Sequence, residues 1–133
     1  MNKANLEKYS KELTDKFSNR ITNIYQNNDE THFNLKELND IPTICDYVHV
    51  NLNARLATII CSDERKNGKD FVIRYVFEKN GIFIFIVVST CNNNSFPSIA
   101  LHVPAATLYE REIKDMFGLI PIGNPDTIPL ILH

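Results

Sequence analysis

Asn80-Gly81 constrains this chain more tightly than any other pair of residues. A two-residue hairpin turn of type I′ needs positive φ at both central positions, and Asn-Gly supplies it. The flanking runs, Asp70 to Glu78 and Ile82 to Thr90, are mostly rich in Ile, Val, Phe and Tyr, as strands are. In the first run Phe71, Ile73, Tyr75 and Phe77 take one face, while Val72, Arg74 and Val76 take the other. The second, beginning IFIFIVV, is apolar on both faces, which is the pattern of a strand covered on both sides by helices, by the proline-rich tail or by a partner protein. Arg55 to Ser62 reads as a third strand, separated from the hairpin by a loop marked by Asn67-Gly68.

Helical spacing brackets this β-rich centre. Leu6, Tyr9, Leu13 and Phe17 recur at three and four, so residues 3 to 18 read as an amphipathic helix that Asn19-Arg20 ends. Ile21 to Gln26 and Thr31 to Leu35 are short β-prone runs around the polar Asn27 to Glu30, a second hairpin. Asp40-Ile41-Pro42 opens a second helix, with Asp40 as its cap and Pro42 in its first turn, continued on one face by Ile44, Cys45, Val48 and Leu52. Asn92 to Ser95 is a surface loop. The order α-β-β-α-β-β-β-α implies an α+β two-layer sandwich, a mixed or antiparallel sheet of about five strands with helices packed on it. At 133 residues and 44% apolar content, one domain spanning 1 to 133 is expected, able to bury roughly two-thirds of its unfolded surface.

Charge and cysteine usage exclude several function classes. A net charge of −2 and a pI near 6.1 give no general pull toward nucleic acid, which needs clustered Lys and Arg. The N-terminus is charged and amphipathic without an apolar signal region, so the chain reads as cytoplasmic. The strongly apolar run Ile82 to Val88 is far short of the ~20 residues that span a bilayer. Membrane association would therefore come only through partners. Cys45, Cys61 and Cys91 are widely spaced, with no Cys-x-x-Cys pair, which argues against a disulfide framework and against a metal or cluster site built by this chain alone.

The last stretch, PAATLYEREIKDMFGLIPIGNPDTIPLILH, carries the most specific pattern. Pro104 suits a first helical turn. Ala105, Leu108, Tyr109, Ile113, Met116 and Phe117 then recur mostly at three and four until Gly118 stops the helix. At about 100° per residue the stripe is defined by Tyr109, Ile113 and Met116. Glu110 and Glu112 fall on its two shoulders, while Arg111, Lys114 and Asp115 turn away. After Gly118, Pro121, Gly123, Pro125 and Pro129 exclude another helix, yet the segment stays apolar. A tail of that kind needs a surface to lie on.

Glu110-Arg111-Glu112, then Asp115, Met116-Phe117, Gly118 and the Gly123-x-Pro125-Asp126 turn resemble the signature of the respiratory complex I thirty-kilodalton subunit family, which has a member in bacterial NADH dehydrogenase. The longer match through the PLILH ending is closer to the version in membrane-bound NiFe hydrogenases and formate hydrogenlyase, where the domain can precede the hydrogenase large subunit on one chain. The resemblance covers the chain from about Ile41 onward, weakly before that. It implies a docking domain of a membrane-associated oxidoreductase complex, peripheral on the inner face of the membrane. No cofactor would lie in this domain, and the NiFe centre and iron–sulfur clusters would lie in partner subunits or a downstream domain. Partners would be the hydrogenase large subunit and iron–sulfur subunits, contacted through Tyr109, Glu110, Arg111, Glu112, Asp115, Phe117, Gly118, Gly123, Pro125, Asp126 and the tail to His133. The native polypeptide would continue past His133 into a hydrogenase large subunit. Two departures stand out: the family usually carries His or Lys where this chain has Asn124, and Arg, Lys or Pro where it has Ile128.

Catalytic constellations are absent from the sequence. The four glycines form no phosphate cradle, His32, His49, His102 and His133 share no ligand spacing, and no Ser sits in a Gly-x-Ser-x-Gly elbow. Glu110 and Glu112 are the tempting carboxylates, but opposite shoulders of a helix hold them too far apart to act as a close dyad. Asp63-Glu64-Arg65 resembles the hydrogenase-type variant, where it lies in a hairpin, against the simpler reading of a solvated loop. Three readings follow from these patterns. The first is a docking domain of a hydrogenase-type complex, and the second is the equivalent thirty-kilodalton subunit of an NADH-quinone oxidoreductase. The third is an independent small-ligand-binding α+β domain, which would need a deep pocket with convergent polar groups.

Overall fold

The structure, a computed structural model, describes residues 2–127. The aliphatic end expected of the tail, Ile128 included, lies outside the described residues. Helix α1 (Asn2–Phe17) leads through a short 3-10 turn into strands β1 (Ile21–Asn27) and β2 (Glu30–Leu35). Helix α2 (Ile41–Asp46) precedes strands β3 (Arg55–Asp63), β4 (Phe71–Lys79) and β5 (Ile82–Ser89). A short strand β6 (Ser95–Pro97), helix α3 (Ala106–Phe117) and a short strand β7 (Ile120–Ile122) complete the order.

The main sheet runs β1-β2-β5-β4-β3. Neighbours pair antiparallel except β2 and β5, which are parallel, so the sheet is mixed. Its centre is the Asn80-Gly81 hairpin, with φ of 53° and 80° at the two turn residues, as a type I′ turn demands. The Gly81 N–H also donates to Glu78 Oε2 at 3.0 Å.

One face of the sheet meets the helices. Ile73, Tyr75, Phe77, Ile82, Ile84 and Ile86 are wholly buried there against Leu13 of α1, Ile41 and Ile44 of α2, and Ala106 and Ile113 of α3. The alternation expected for β4 is therefore real. The α2 segment continues as a wider π turn over 47–51, which keeps Val48 inside and settles Val48-His49-Val50 as helical.

One expectation needs correction, and two features add to the expected picture. Asp40 makes no capping hydrogen bond to α2; its carboxylate instead accepts from Arg20 Nη1 at 3.3 Å, tying the 3-10 turn before β1 to the start of α2. Among the described residues, helices cover strand β5 on one face only. Its other face presents Phe83, Phe85 and Val87 beside Val76 and Arg74 of β4, outside the main core, and Phe83 remains 36% exposed. After Gly118 no further α-helix forms among the described residues, and a short strand adds to the expected order. Residues Ile120–Ile122 form a parallel pair with Ser95–Pro97, two three-residue strands with a proline in each, too short for sequence alternation to announce.

Because Ile86 is wholly buried and Phe83 is not, the two truncations separate the faces. Ile86→Ala is expected to cost about 2–5 kcal/mol, and Phe83→Ala clearly less, in urea unfolding monitored by far-UV circular dichroism.

Candidate functional site

Helix α3 buries a different stripe from the one centred on Tyr109, Ile113 and Met116. Ala106, Glu110 and Ile113 are buried, Tyr109 and Phe117 are half-buried, and Met116 is 74% exposed. Glu110 therefore lies on the inner stripe rather than on a shoulder, and no part of it is exposed. Apolar periodicity could not assign a carboxylate to the centre of that stripe.

What holds Glu110 there is a set of three donors. Ser98 Oγ donates to Oε1 at 2.5 Å, the Ile99 N–H to Oε2 at 2.8 Å, and Asn124 Nδ2 to Oε1 at 2.9 Å. Asn124, itself wholly buried, also donates from Nδ2 to the Thr107 carbonyl at 3.1 Å and accepts the Asp126 N–H on Oδ1 at 2.8 Å. The Ala100 N–H donates to Ser98 Oγ at 3.0 Å, which fixes that hydroxyl. One carboxylate thus fastens the loop after β6 and the turn after β7 to the middle of α3. Burial pushes the Glu110 carboxyl above its ordinary value, and the three hydrogen bonds pull back toward the charged form.

Tyr109 and Phe117 anchor the helix on either side. Tyr109 donates its hydroxyl to the Ala57 carbonyl on β3 at 3.1 Å. Phe117 meets the Phe71 ring edge-on, 5.5 Å between centroids, and the Arg65 guanidinium lies over the Phe71 ring at 4.8 Å. Arg65 in turn donates to both oxygens of Asp63, at 2.9 and 2.7 Å, which holds that carboxyl down to about 2. Glu64 accepts from Ser62 Oγ at 2.7 Å and Arg74 Nη1 at 3.0 Å. The Asp63-Glu64-Arg65 stretch thus lies in the hydrogen-bonded hairpin connection between β3 and β4, with Asp63 and Arg65 exposed to solvent. Gly118 closes α3 in the left-handed region at φ 73°, its N–H donating to the Lys114 carbonyl. Gly123 turns the chain at φ 96°, and Pro125 and Asp126 follow exposed.

The remaining signature residues point outward. Arg111, Glu112 and Asp115 lie off the buried stripe and form no side-chain hydrogen bond or ion pair among the described residues. Leu108 and Met116, 63% and 74% exposed, share that side of α3, and Ile120 and Ile122 of the packed β7 are exposed as well. The structure therefore divides the expected site residues in two. Tyr109, Glu110, Phe117, Gly118 and Gly123 shape the fold locally, as does Asp126 through its N–H on Asn124, with Pro125 exposed beside it, and Arg111, Glu112 and Asp115 lie on a surface that no other described residue engages.

Burial pushes the Cys45 thiol well up and Cys61 to about 11, which keeps both as thiols at neutral pH and weak nucleophiles. Among the described residues no three His, Cys, Asp or Glu side chains gather as a metal site. A cleft of about 460 Å³ lies between Lys36, Leu38, Asn39, Cys91, Phe96 and Pro97, and Glu110 is not part of its lining.

A five-stranded mixed sheet with three helices on one face, the last of them pinned by a buried carboxylate, defines an α+β two-layer fold. A trypsin-resistant fragment of Nqo5 shares the fold, with a TM-score of 0.75, 20% identity, and 95% of this chain and 99% of that one covered. The membrane-bound sulfane sulfur reductase, an archaeal respiratory membrane complex, holds a chain with a TM-score of 0.68 and 19% identity, covering 96% of this chain and 76% of its own length. Residues 36–133 match the family model of the respiratory-chain NADH dehydrogenase 30 kDa subunit, and the chain belongs to that family. Among curated proteins, formate hydrogenlyase subunit 5 of Escherichia coli (strain K12) is 31% identical over 116 residues, 84% of this chain and 20% of the relative. Hydrogenase-4 component G of the same strain is 34% identical over 100 residues, 72% of this chain and 18% of the relative. The chain thus spans about a fifth of the length of these relatives.

Sequence reasoning found Tyr109 through Asp126 as a group but missed Ser98 and Ile99. They lie in a loop without motif character, 12 and 11 positions before Glu110, and only folding brings them to it. Asn124 stands out in the sequence as a departure from the family pattern, and the structure gives it a job that a neutral amide performs: it donates to Glu110 while accepting from Asp126.

Glu110→Gln turns an amide N–H₂ toward one of the existing donors and is expected to lose about 1–3 kcal/mol. Glu110 binds its proton more tightly folded than unfolded, so its contribution to stability falls as pH rises from the ordinary glutamate range through the raised native value. The stability gap between wild type and Glu110→Gln should accordingly narrow across that window, measured by urea titrations at stepped pH.

Proposed function

We propose that this chain is a docking subunit or domain of a membrane-associated oxidoreductase complex, of the formate hydrogenlyase or energy-converting NiFe hydrogenase type, without a catalytic centre of its own. The observation that carries this reading is the exposed side of α3. Arg111, Glu112 and Asp115 have no side-chain partners among the described residues, although they belong to the same signature as the deeply built Glu110. Leu108 and Met116 give that side an apolar component. Mixed apolar and charged surface of this kind suits a protein partner, because buried apolar area drives association while charged groups set orientation.

The hydrogenase type is favoured over an NADH-quinone oxidoreductase because the two curated relatives, at 31% and 34% identity, are named for formate hydrogenlyase and hydrogenase-4. The proposed partners are a hydrogenase large subunit and iron–sulfur subunits, which would hold the NiFe centre and clusters. The proposed location is the cytoplasmic face of the membrane, reached through those partners. No helix among the described residues is long and apolar enough to cross a membrane.

Two measurements test the proposal. Purification of the native gene product from its own cells is expected to bring down nickel, iron and hydrogenase subunits. Iron with flavin- and quinone-linked subunits would move the assignment to the NADH dehydrogenase type, and a lone metal-free protein would defeat both. Separately, Arg111→Ala with Asp115→Ala is expected to leave stability within about 0.5 kcal/mol of wild type, as exposed substitutions do, while partner recovery drops sharply. Undiminished recovery would rule out this side of α3 as the docking surface.

A further inference from the structure

Strand β1 is an edge of the main sheet and, apart from a β-bulge near its start, carries none of the devices that normally blunt an edge among the described residues. Its seven residues, ITNIYQN, include no charged side chain and no proline, and all but the half-buried Ile21 are exposed. Asn27 and Glu30 close a two-residue turn into β2, which makes them a hydrogen-bonded pair. Alternation then turns the backbone groups of Asn27, Tyr25 and Asn23 toward β2. The N–H and C=O groups of Gln26 and Ile24 face outward. The β-bulge at the start of the strand falls between Ile21 and Asn23, outside this regular part.

We propose that β1 pairs antiparallel with β1 of a second copy of this chain, centred on Tyr25. In that register Ile24 lies opposite Gln26 of the second copy and Gln26 opposite its Ile24. The outward groups then meet in four reciprocal backbone hydrogen bonds, and the two sheets join into one of ten strands. Tyr25 faces its own counterpart in the non-hydrogen-bonded position, where Cα atoms approach to about 4.5 Å and side chains pack closely.

Two observations favour a second copy as the occupant. The strand is neutral, so self-pairing sets no like charges opposite one another. The register also continues an aromatic ladder already present on the open face of the sheet. Phe85 stacks on His32 with centroids 4.1 Å apart and planes at 13°, and His32 meets Tyr25 at 5.5 Å. Tyr25 is the outer rung and is 56% exposed. Pairing across the symmetry axis joins the two ladders into six consecutive rings and covers that rung.

This inference is independent of the docking surface on α3, and it is tested on the 133-residue chain by light scattering coupled to size exclusion over a range of loading concentrations. The mass is expected to rise from 15.3 kDa to twice that value with concentration. Gln26→Pro removes one outward N–H without breaking a bond to β2, a place where an edge strand tolerates proline. Tyr25→Lys sets two cations opposite each other at the axis. Both variants are expected to stay monomeric while retaining the far-UV spectrum of wild type; if Gln26→Pro unfolds, the exposed Tyr25→Lys carries the test alone. In a Cys91→Ser background, Tyr25→Cys is expected to form a symmetric disulfide on mild oxidation, since the paired Cα distance lies within the roughly 4.4–6.8 Å that a disulfide spans. A wild-type chain that stays monomeric at every concentration, or a dimer that survives Tyr25→Lys, overturns the proposal.

Discussion

A carboxylate with no exposure to water, held by three donors from two other segments, is the interaction on which the terminal third of this molecule depends. A buried charge is tolerable only when hydrogen bonds replace its hydration. Ser98, Ile99 and Asn124 do so for Glu110. That requirement acts in both directions. Glu110 needs the loop and the turn in place, and neither the short β6–β7 pair nor the proline-rich turn has enough regular structure to fix its own position. The carboxylate is what makes these weak elements cooperative with α3.

From that anchor the rest of the helix follows. With Glu110 facing in, Leu108, Glu112 and Asp115 fall roughly opposite it on a 3.6-residue period and face out, with Arg111 on the flank beside them. Tyr109 on the Ala57 carbonyl and Phe117 on Phe71 prevent α3 from rotating about its axis. The exposed side is thereby held in a fixed orientation relative to the sheet, which is the property a docking surface requires. A chain of contacts from Phe117 through Phe71 and Arg65 to Asp63 connects the end of α3 to the β3–β4 connection, so that the two signature-bearing stretches share one rigid frame.

The two faces of the sheet are built differently. One is buried by three helices in a continuous apolar core; the other carries the Tyr25, His32 and Phe85 rings and the valines of β4 and β5 without helical cover. The near-continuous apolar run of β5 reflects both environments. Ile82, Ile84, Ile86 and Val88 fill the core, and Phe83, Phe85 and Val87 supply the second face.

The sequence by itself determined the two hairpins, the amphipathic α1 and the buried face of β4, because Asn-Gly turn chemistry and apolar periodicity are local properties that survive without tertiary context. It also marked the residues from Tyr109 to Asp126 as a group. Only the tertiary structure decided how that group divides. Met116 and Glu110 exchange the positions that hydrophobicity assigns them, since the inner position is fixed by donors 11 to 14 residues away rather than by the apolar stripe. The β6–β7 pair was likewise invisible, because strands of three residues carry no alternation to read and exist here only because Ser98, Asn124 and Glu110 bring their ends together.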